Sequence, residues 1–258
     1  MRFYPIDGKP YNAKITEARK LKLLPSITEV LKIESNYGLE LYKIKSALMG
    51  ALTLTRFYNE DDESFIARVL ADGKKHSRRA AKIGNIIHLL ISRYINNKPI
   101  FYLGNVPEIK SIWDVAKKWI DDFIDKTDSM TEKILYSETI GMAGTCDFIG
   151  KFTSGERVII DWKTQDVKHP GFSKRTGDKL KDKVNFYDSW CCQLVGYNAM
   201  ASENQWHIND ELVSVVFGTN PENHGVWVRY WSEEEKLKAW KKLLALRDVF
   251  YINNKLEL

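Results

Sequence analysis

Asp161, Trp162 and Lys163 follow Val158-Ile159-Ile160, an apolar run that reads as a buried strand. Two residues apart on a strand, Asp161 and Lys163 share one face, and Trp162 points to the other, toward packing. Upstream, Gly144-Thr145-Cys146-Asp147 sits just far enough away for a hairpin to bring Asp147 near Asp161. Two carboxylates and an ammonium at the end of a buried strand are costly unless something offsets them. A divalent cation does so, because carboxylate and backbone carbonyl oxygens are hard ligands suited to Mg²⁺ or Mn²⁺. A lysine beside such an ion can hold or deprotonate a water and stabilise a developing phosphate charge. An isolated Asp-x-Lys is more often an ordinary surface pair. The weight comes from what accompanies it.

The elements that must position these residues follow from the hydrophobic period. The N-terminal part reads mainly as helix, over Leu41 to Tyr58, Ser64 to Ala71, Arg78 to Asn96 and Pro107 to Lys126. Ser26 with Glu29 has the spacing of a capping box. The period then changes, and Ile134 to Met142, Gly144 to Phe152 and Glu156 to Thr164 read as three strands, with Thr153-Ser154-Gly155-Glu156 as a hairpin turn. A helix over Asn185 to Ser202, strands over Glu211 to Gly218 and Val226 to Trp231, and a last helix capped by Ser232 complete the chain. The expected fold is α/β: a mixed sheet with flanking helices, preceded by an N-terminal helical subdomain. The expected division is a helical part over 1–130 and a sheet-bearing core over 131–258, joined as one compact unit.

At 258 residues the chain can bury a real core. The net charge of +5 is a mild hint of an anionic partner. Three cysteines, Cys146 and the adjacent Cys191 and Cys192, exclude a four-cysteine iron–sulfur cluster and read as reduced thiols. No phosphate-binding Gly-x-x-x-x-Gly-Lys-Ser/Thr loop occurs, so no nucleotide cofactor or helicase motor is expected. No apolar run reaches membrane-spanning length, and Met1 to Pro10 lacks the apolar stretch of a secretion signal. A cytoplasmic location is the expectation.

Five elements in order, Gly84-x-x-x-His88, Glu138, Gly144-x-x-Asp147, Asp161-x-Lys163 and Gln193-x-x-x-Tyr197, resemble the pattern of the PD-(D/E)xK nuclease superfamily, in particular its RecB-like, Cas4-like exonuclease branch. The resemblance spans residues 84 to 197 and implies a restriction-endonuclease-like fold. It implies that Asp147 and Asp161 ligate one or two Mg²⁺ or Mn²⁺ ions, with the backbone carbonyl of Trp162 and the His88 ring as further ligands. Lys163 would position and activate the water. Gln193 would hold Lys163 or a phosphate, Tyr197 would contact the nucleic-acid backbone, and Glu138 would be a further acidic catalytic residue. Gln193 and Tyr197 are i and i+4, hence on one helix face. The iron–sulfur cluster of some relatives needs four cysteines, and three, two of them adjacent, cannot supply it here.

Two basic stretches fit a nucleic-acid substrate. Lys74, Lys75, Arg78, Arg79 and Lys82 carry positive charge without an intervening acid and lead into Gly84 and His88. The polar stretch Gln165 to Lys183, with Lys174 and Arg175, joins the Asp161 strand to the Gln193 helix and has the length of a functional loop. The expected activity is metal-dependent exonucleolytic hydrolysis of DNA, single-stranded or at duplex ends, in phage or bacterial recombination or repair. A recombination or single-strand-binding protein is a candidate partner. A structure- or site-specific endonuclease and a non-catalytic DNA-binding protein on the same fold are the alternatives.

Overall fold

The computed structural model describes residues 1–6, 8–34, 37–100, 107–168, 171, 181–203 and 211–257. The elements are β1 (Arg2–Tyr4), β2 (Tyr11–Asn12), α1 (Ile15–Lys20), β3 (Leu24–Pro25), α2 (Ile27–Leu31), α3 (Tyr37–Thr53), α4 (Asp62–Gly73), α5 (Lys75–Ile95) and α6 (Pro107–Phe123), followed by β4 (Ile124–Ser137), β5 (Met142–Phe152), β6 (Arg157–Gln165), α7 (Asp188–Glu203), β7 (Glu211–Gly218), β8 (Val226–Tyr230) and α8 (Glu233–Asn254). They fall into two compact units, Met1–Ile33 with Ile87–Leu258, and Glu34–Ile86. Residues 87–123, expected within a helical N-terminal part, group with the sheet.

In the first unit five strands form one sheet in the order β4-β5-β6-β7-β8. The β6–β7 pair is parallel and the other three are antiparallel, so the α/β class and the mixed sheet flanked by helices stand as expected. The parallel pair requires a crossover, which α7 supplies. The β5–β6 hairpin closes through Gly155 at φ +94, a backbone region that favours glycine, with Phe152 N–H donating to Glu156 O at 2.8 Å.

One face of the sheet packs on α2, α7 and α8 through Ile27, Ile149, Ile159, Leu194 and Leu243. The helix α7 is buried along most of its length, which explains its apolar composition. The other face carries an aromatic cluster, in which Trp162 lies 5.9 Å from Trp119 of α6, 5.8 Å from Phe148 and 6.1 Å from Phe217. The two expected caps form: Ser26 accepts from Glu29 N–H at 3.1 Å, and Ser232 with Glu235 makes a full capping box on α8.

Two boundaries differ from the sequence reading. Helix α6 stops at Phe123, and β4 begins at Ile124 rather than near residue 134. Its register against β5 shifts between Asp125 and Met130, an irregularity that hides the strand's period. The small sheet β2-β1-β3 is too short to leave a periodic signal.

The second unit holds α3, α4 and the first part of α5. Gly50 of α3 lets the helix backbone approach Val69 of α4, where an added Cβ would come within 3.3 Å of Val69. Arg68 pairs with Glu60 through Nε at 2.7 Å and Nη2 at 2.8 Å, and it stacks 3.9 Å above the Phe57 ring. No helix among the described residues is long and apolar enough to cross a membrane.

Candidate active site

The ladder between β5 and β6 runs from Lys151 opposite Arg157 to Phe148 opposite Ile160 and goes no further. Asp147 and Asp161 are the next residues on each strand, where the two strands part. In place of a ladder bond, the Asp147 side chain spans the gap, and its Oδ2 accepts the Trp162 N–H at 3.0 Å. A carboxylate thus satisfies a backbone donor that would otherwise be buried and unpaired.

Asp161 is 1% exposed. Its Oδ1 accepts from Lys163 Nζ at 2.6 Å, and its buried Oδ2 has no partner among the described residues. Burial pushes the Asp161 carboxyl up to about 6, against the pull of Lys163 and with the help of the Asp147 charge. Burial also opposes the Asp147 charge, but the neighbouring His88 and Lys163 outweigh it and hold that carboxyl below the ordinary aspartate range. His88 of α5 lies with Nδ1 3.5 Å from Asp147 Oδ1. Its burial disfavours the imidazolium, yet Asp147 draws its pKa upward.

Helix α7 lays Trp190, Gln193 and Tyr197 along the same side. Lys163 Nζ lies 5.7 Å from the Trp190 ring centre, so the ammonium sits between that ring and Asp161. Gln193 Nε2 donates to Tyr197 Oη at 2.9 Å, rather than holding Lys163. Burial and the negative charge of Asp147 raise the Tyr197 hydroxyl well above its usual pKa. Because it accepts from Gln193, that phenol keeps its own hydrogen to give to another acceptor.

Gly144 explains itself here. A Cβ at this position would come within 2.5 Å of the Tyr197 ring, so only glycine lets β5 pass under α7 at this distance. The Gly-x-x-Asp spacing is therefore a packing requirement as much as a chemical one.

Of the residues expected at the site, His88, Asp147, Asp161, Lys163 and the Trp162 backbone come together on β5, β6 and α5, with Gln193 and Tyr197 beside them on α7. Glu138 does not join them. Strand β4 ends at Ser137, whose hydroxyl accepts the Ile140 N–H at 2.8 Å and turns the chain. Glu138 falls in that turn, exposed, and lines a different depression with Arg19, Lys22 and Lys255.

The acidic residue that β4 does bring to the site is Glu132. The pairs Thr131–Phe148 and Lys133–Cys146 place it opposite Asp147. Its backbone is left-handed, φ +52, unusual for a non-glycine residue within a strand. Single ligand atoms of His88, Glu132 and Asp147 all lie within 4.8 Å of one another. Desolvation, then the Asp147 charge, raises the Glu132 pKa. A strand drawn from Ile124 onward would have pointed to Glu132, but the register shift before Met130 conceals it.

Lys74, Lys75, Arg78, Arg79 and Lys82 belong to the second unit, where they stand exposed at the end of α4 and along the first turns of α5. Lys174 and Arg175 lie outside the described residues. All three cysteines are buried.

The donor set of His88, Glu132 and Asp147, two carboxylates and an imidazole, could hold a metal ion. Outside that group, the buried Asp161 Oδ2 has no partner among the described residues.

No protein-family model matches the sequence, and no curated protein matches it. Among solved structures, the chain is similar to that of a "Putative exonuclease" from Eubacterium rectale, with 13% identity, 68% of this chain and 69% of that chain covered, and a TM-score of 0.44. It is also similar to the structure of SSO0001, with 13% identity, 83% and 84% of the two chains covered, and a TM-score of 0.32. At these scores the likeness carries no functional weight.

Proposed function

We propose that this protein is a Mg²⁺- or Mn²⁺-dependent deoxyribonuclease of the RecB-like kind, acting as an exonuclease. The observation that carries this reading is the parting of β5 and β6 at Asp147 and Asp161, with Lys163 Nζ 2.6 Å from Asp161 and the second Asp161 oxygen buried without a partner among the described residues. Asp147, Asp161, His88 and the Trp162 carbonyl would hold the ion. When bound, a divalent cation stabilises the charge that develops on a phosphate under attack.

The chain's own side chains divide the remaining work. Lys163, fixed between Asp161 and the Trp190 ring, presents an ammonium to the attacking water and the phosphate. Tyr197, polarised by Gln193, donates its hydrogen to a phosphate oxygen. His88 orients Asp147. The exposed cations Lys74, Lys75, Arg78 and Lys82 offer a sequence-independent hold on the nucleic-acid backbone.

The test is digestion of 5′- and 3′-labelled linear DNA, single- and double-stranded, with Mg²⁺, with Mn²⁺ and with EDTA. Cleavage of linear DNA that EDTA abolishes, and that Asp161→Ala and Lys163→Ala lack, supports the reading. Cutting of covalently closed single-stranded circles makes it an endonuclease. Binding without cleavage in either metal leaves a non-catalytic DNA-binding protein.

A further inference from the structure

A second group of polar side chains stands on the face of β5 that bears Asp147. Thr145 lies two residues before Asp147 and so shares its face, about 6–7 Å away along the strand. Two side chains of β1 meet it there. Arg2 Nη2 donates to Thr145 Oγ1 at 3.3 Å, and Tyr4 Oη lies 3.0 Å from the same oxygen. The Arg2 guanidinium also sits over the Tyr4 ring, 5.5 Å from its centre.

We infer that Arg2, with the Tyr4–Thr145 hydroxyl pair, holds the phosphate of the DNA strand next to the one under attack. This rests on the nuclease reading and adds a hold on the substrate that the motif pattern does not contain. Strand β1 keeps Arg2 in place. Phe3 is buried in the core, so Arg2 and Tyr4 on either side of it share the opposite face. The Arg2 backbone pairs with Asn12 of β2, and its carbonyl accepts the Ser26 N–H at 3.1 Å. The exposed Arg2 side chain has one hydroxyl and one ring as its contacts among the described residues, which leaves most of its five N–H donors for a ligand. Two hydroxyls that share one hydrogen bond also keep one hydrogen between them to donate. A fixed guanidinium beside a hydroxyl suits the oxygens of a phosphate. Glu132 ties the group to the candidate active site: burial and the Asp147 charge raise its pKa, while His88 and Arg2 pull it down. One nucleotide step along a strand carries a phosphate over the distance from Asp147 to Thr145.

The experiment is steady-state cleavage of linear single-stranded DNA, with melts to confirm that each variant folds. Arg2→Ala is expected to raise KM roughly tenfold and to leave kcat within about threefold, because the contact is the same before and during the reaction. Arg2→Lys keeps the charge but not the fork and falls in between. Thr145→Val, which keeps the shape, raises KM a few fold. Lys20→Ala removes an exposed cation of α1 in the same unit and leaves KM unchanged. In the Asp161→Asn background, Arg2→Ala lowers the slope of log Kd for DNA against log salt by about 0.7, the share of one phosphate contact. Oligonucleotides with a neutral methylphosphonate at each linkage in turn locate the contact. At the linkage beside the cleaved one, the modification raises KM in the wild type and adds nothing in Arg2→Ala.

Arg2→Ala with wild-type KM and salt slope overturns the inference, as does a loss confined to kcat. So does a rise in KM that Lys20→Ala reproduces, or one that adds in full to the effect of every methylphosphonate. In each of these cases the nuclease reading stands if the wild type cleaves and Asp161→Asn does not. A wild type that cleaves no DNA with either metal overturns both.

Discussion

At one level of the sheet a polar residue sits on every strand, and the two halves of that row differ. On β7 and β8, Ser214 lies opposite Arg229: Trp231 Nε1 donates to Ser214 Oγ at 3.0 Å, and Arg229 Nη2 donates to Glu235 at 2.5 Å while its Nε is buried without a partner among the described residues. On β4, β5 and β6, the same level carries Glu132, Asp147 and Asp161, and one Asp161 oxygen has no partner among the described residues. Asp161 and Ser214 are direct neighbours across the parallel pair, and both are almost fully buried. Burial therefore does not separate a functional polar residue from a structural one. Between these two, the difference is that the Trp231 N–H occupies the Ser214 hydroxyl, whereas one Asp161 oxygen has no partner among the described residues.

The largest effect expected from this contrast is on cleavage. Asp161→Asn lowers the rate of DNA hydrolysis about a thousandfold, equivalent to about 4 kcal/mol of activation free energy. Ser214→Ala, one strand away, leaves the rate within a few fold and instead costs about 1–3 kcal/mol of stability, because it strands the Trp231 N–H. Single-turnover kinetics and urea melts on both variants measure this. A thousandfold rate loss in Ser214→Ala erases the distinction.

Gly144→Ala comes next. A Cβ 2.5 Å from the Tyr197 ring forces β5 and α7 apart, at a cost of about 1–3 kcal/mol. Cleavage falls with it, since Tyr197 moves. Loss of stability without loss of activity would assign the Gly144–Tyr197 contact to packing alone.

A smaller effect appears in the pH dependence of the protein freed of divalent ions. The Asp161 carboxyl sits at about 6 when folded, against about 3.9 for an unfolded aspartate. Between those values the folded chain binds more protons than the unfolded one, so stability falls as pH rises from about 4 to about 6. Asp161→Asn flattens that slope. Denaturant melts across the range test it, and an unchanged slope removes Asp161 as its source.

Smallest of all is Glu138→Gln, expected to change stability by no more than about 0.5 kcal/mol and cleavage not at all. Glu138 lies in the turn after β4, away from the carboxylates. A large loss of cleavage in this variant would return Glu138 to the site in place of Glu132.

Much of the architecture was legible because it depends on local chemistry. Ser26 and Ser232 announce their helices through residues three positions on, and Gly155 announces its turn by backbone freedom. Asp161 and Lys163 share a face because alternate residues on any strand do. Strand β4 was misplaced because its register shift breaks that alternation, and with it the glutamate that stands opposite Asp147, Glu132, was passed over.

The amino-acid order alone thus determined the class of fold, the main helices and strands, and which residue types at which spacings are chemically able to bind a hard cation. The tertiary structure decided where β5 and β6 part, that Gln193 serves Tyr197 rather than Lys163, and which glutamate meets His88. The division has one physical cause. Periodicity, caps and turns are set by neighbours a few bonds away. The meeting of oxygens from different strands depends on register, and a one-residue shift changes register without altering composition.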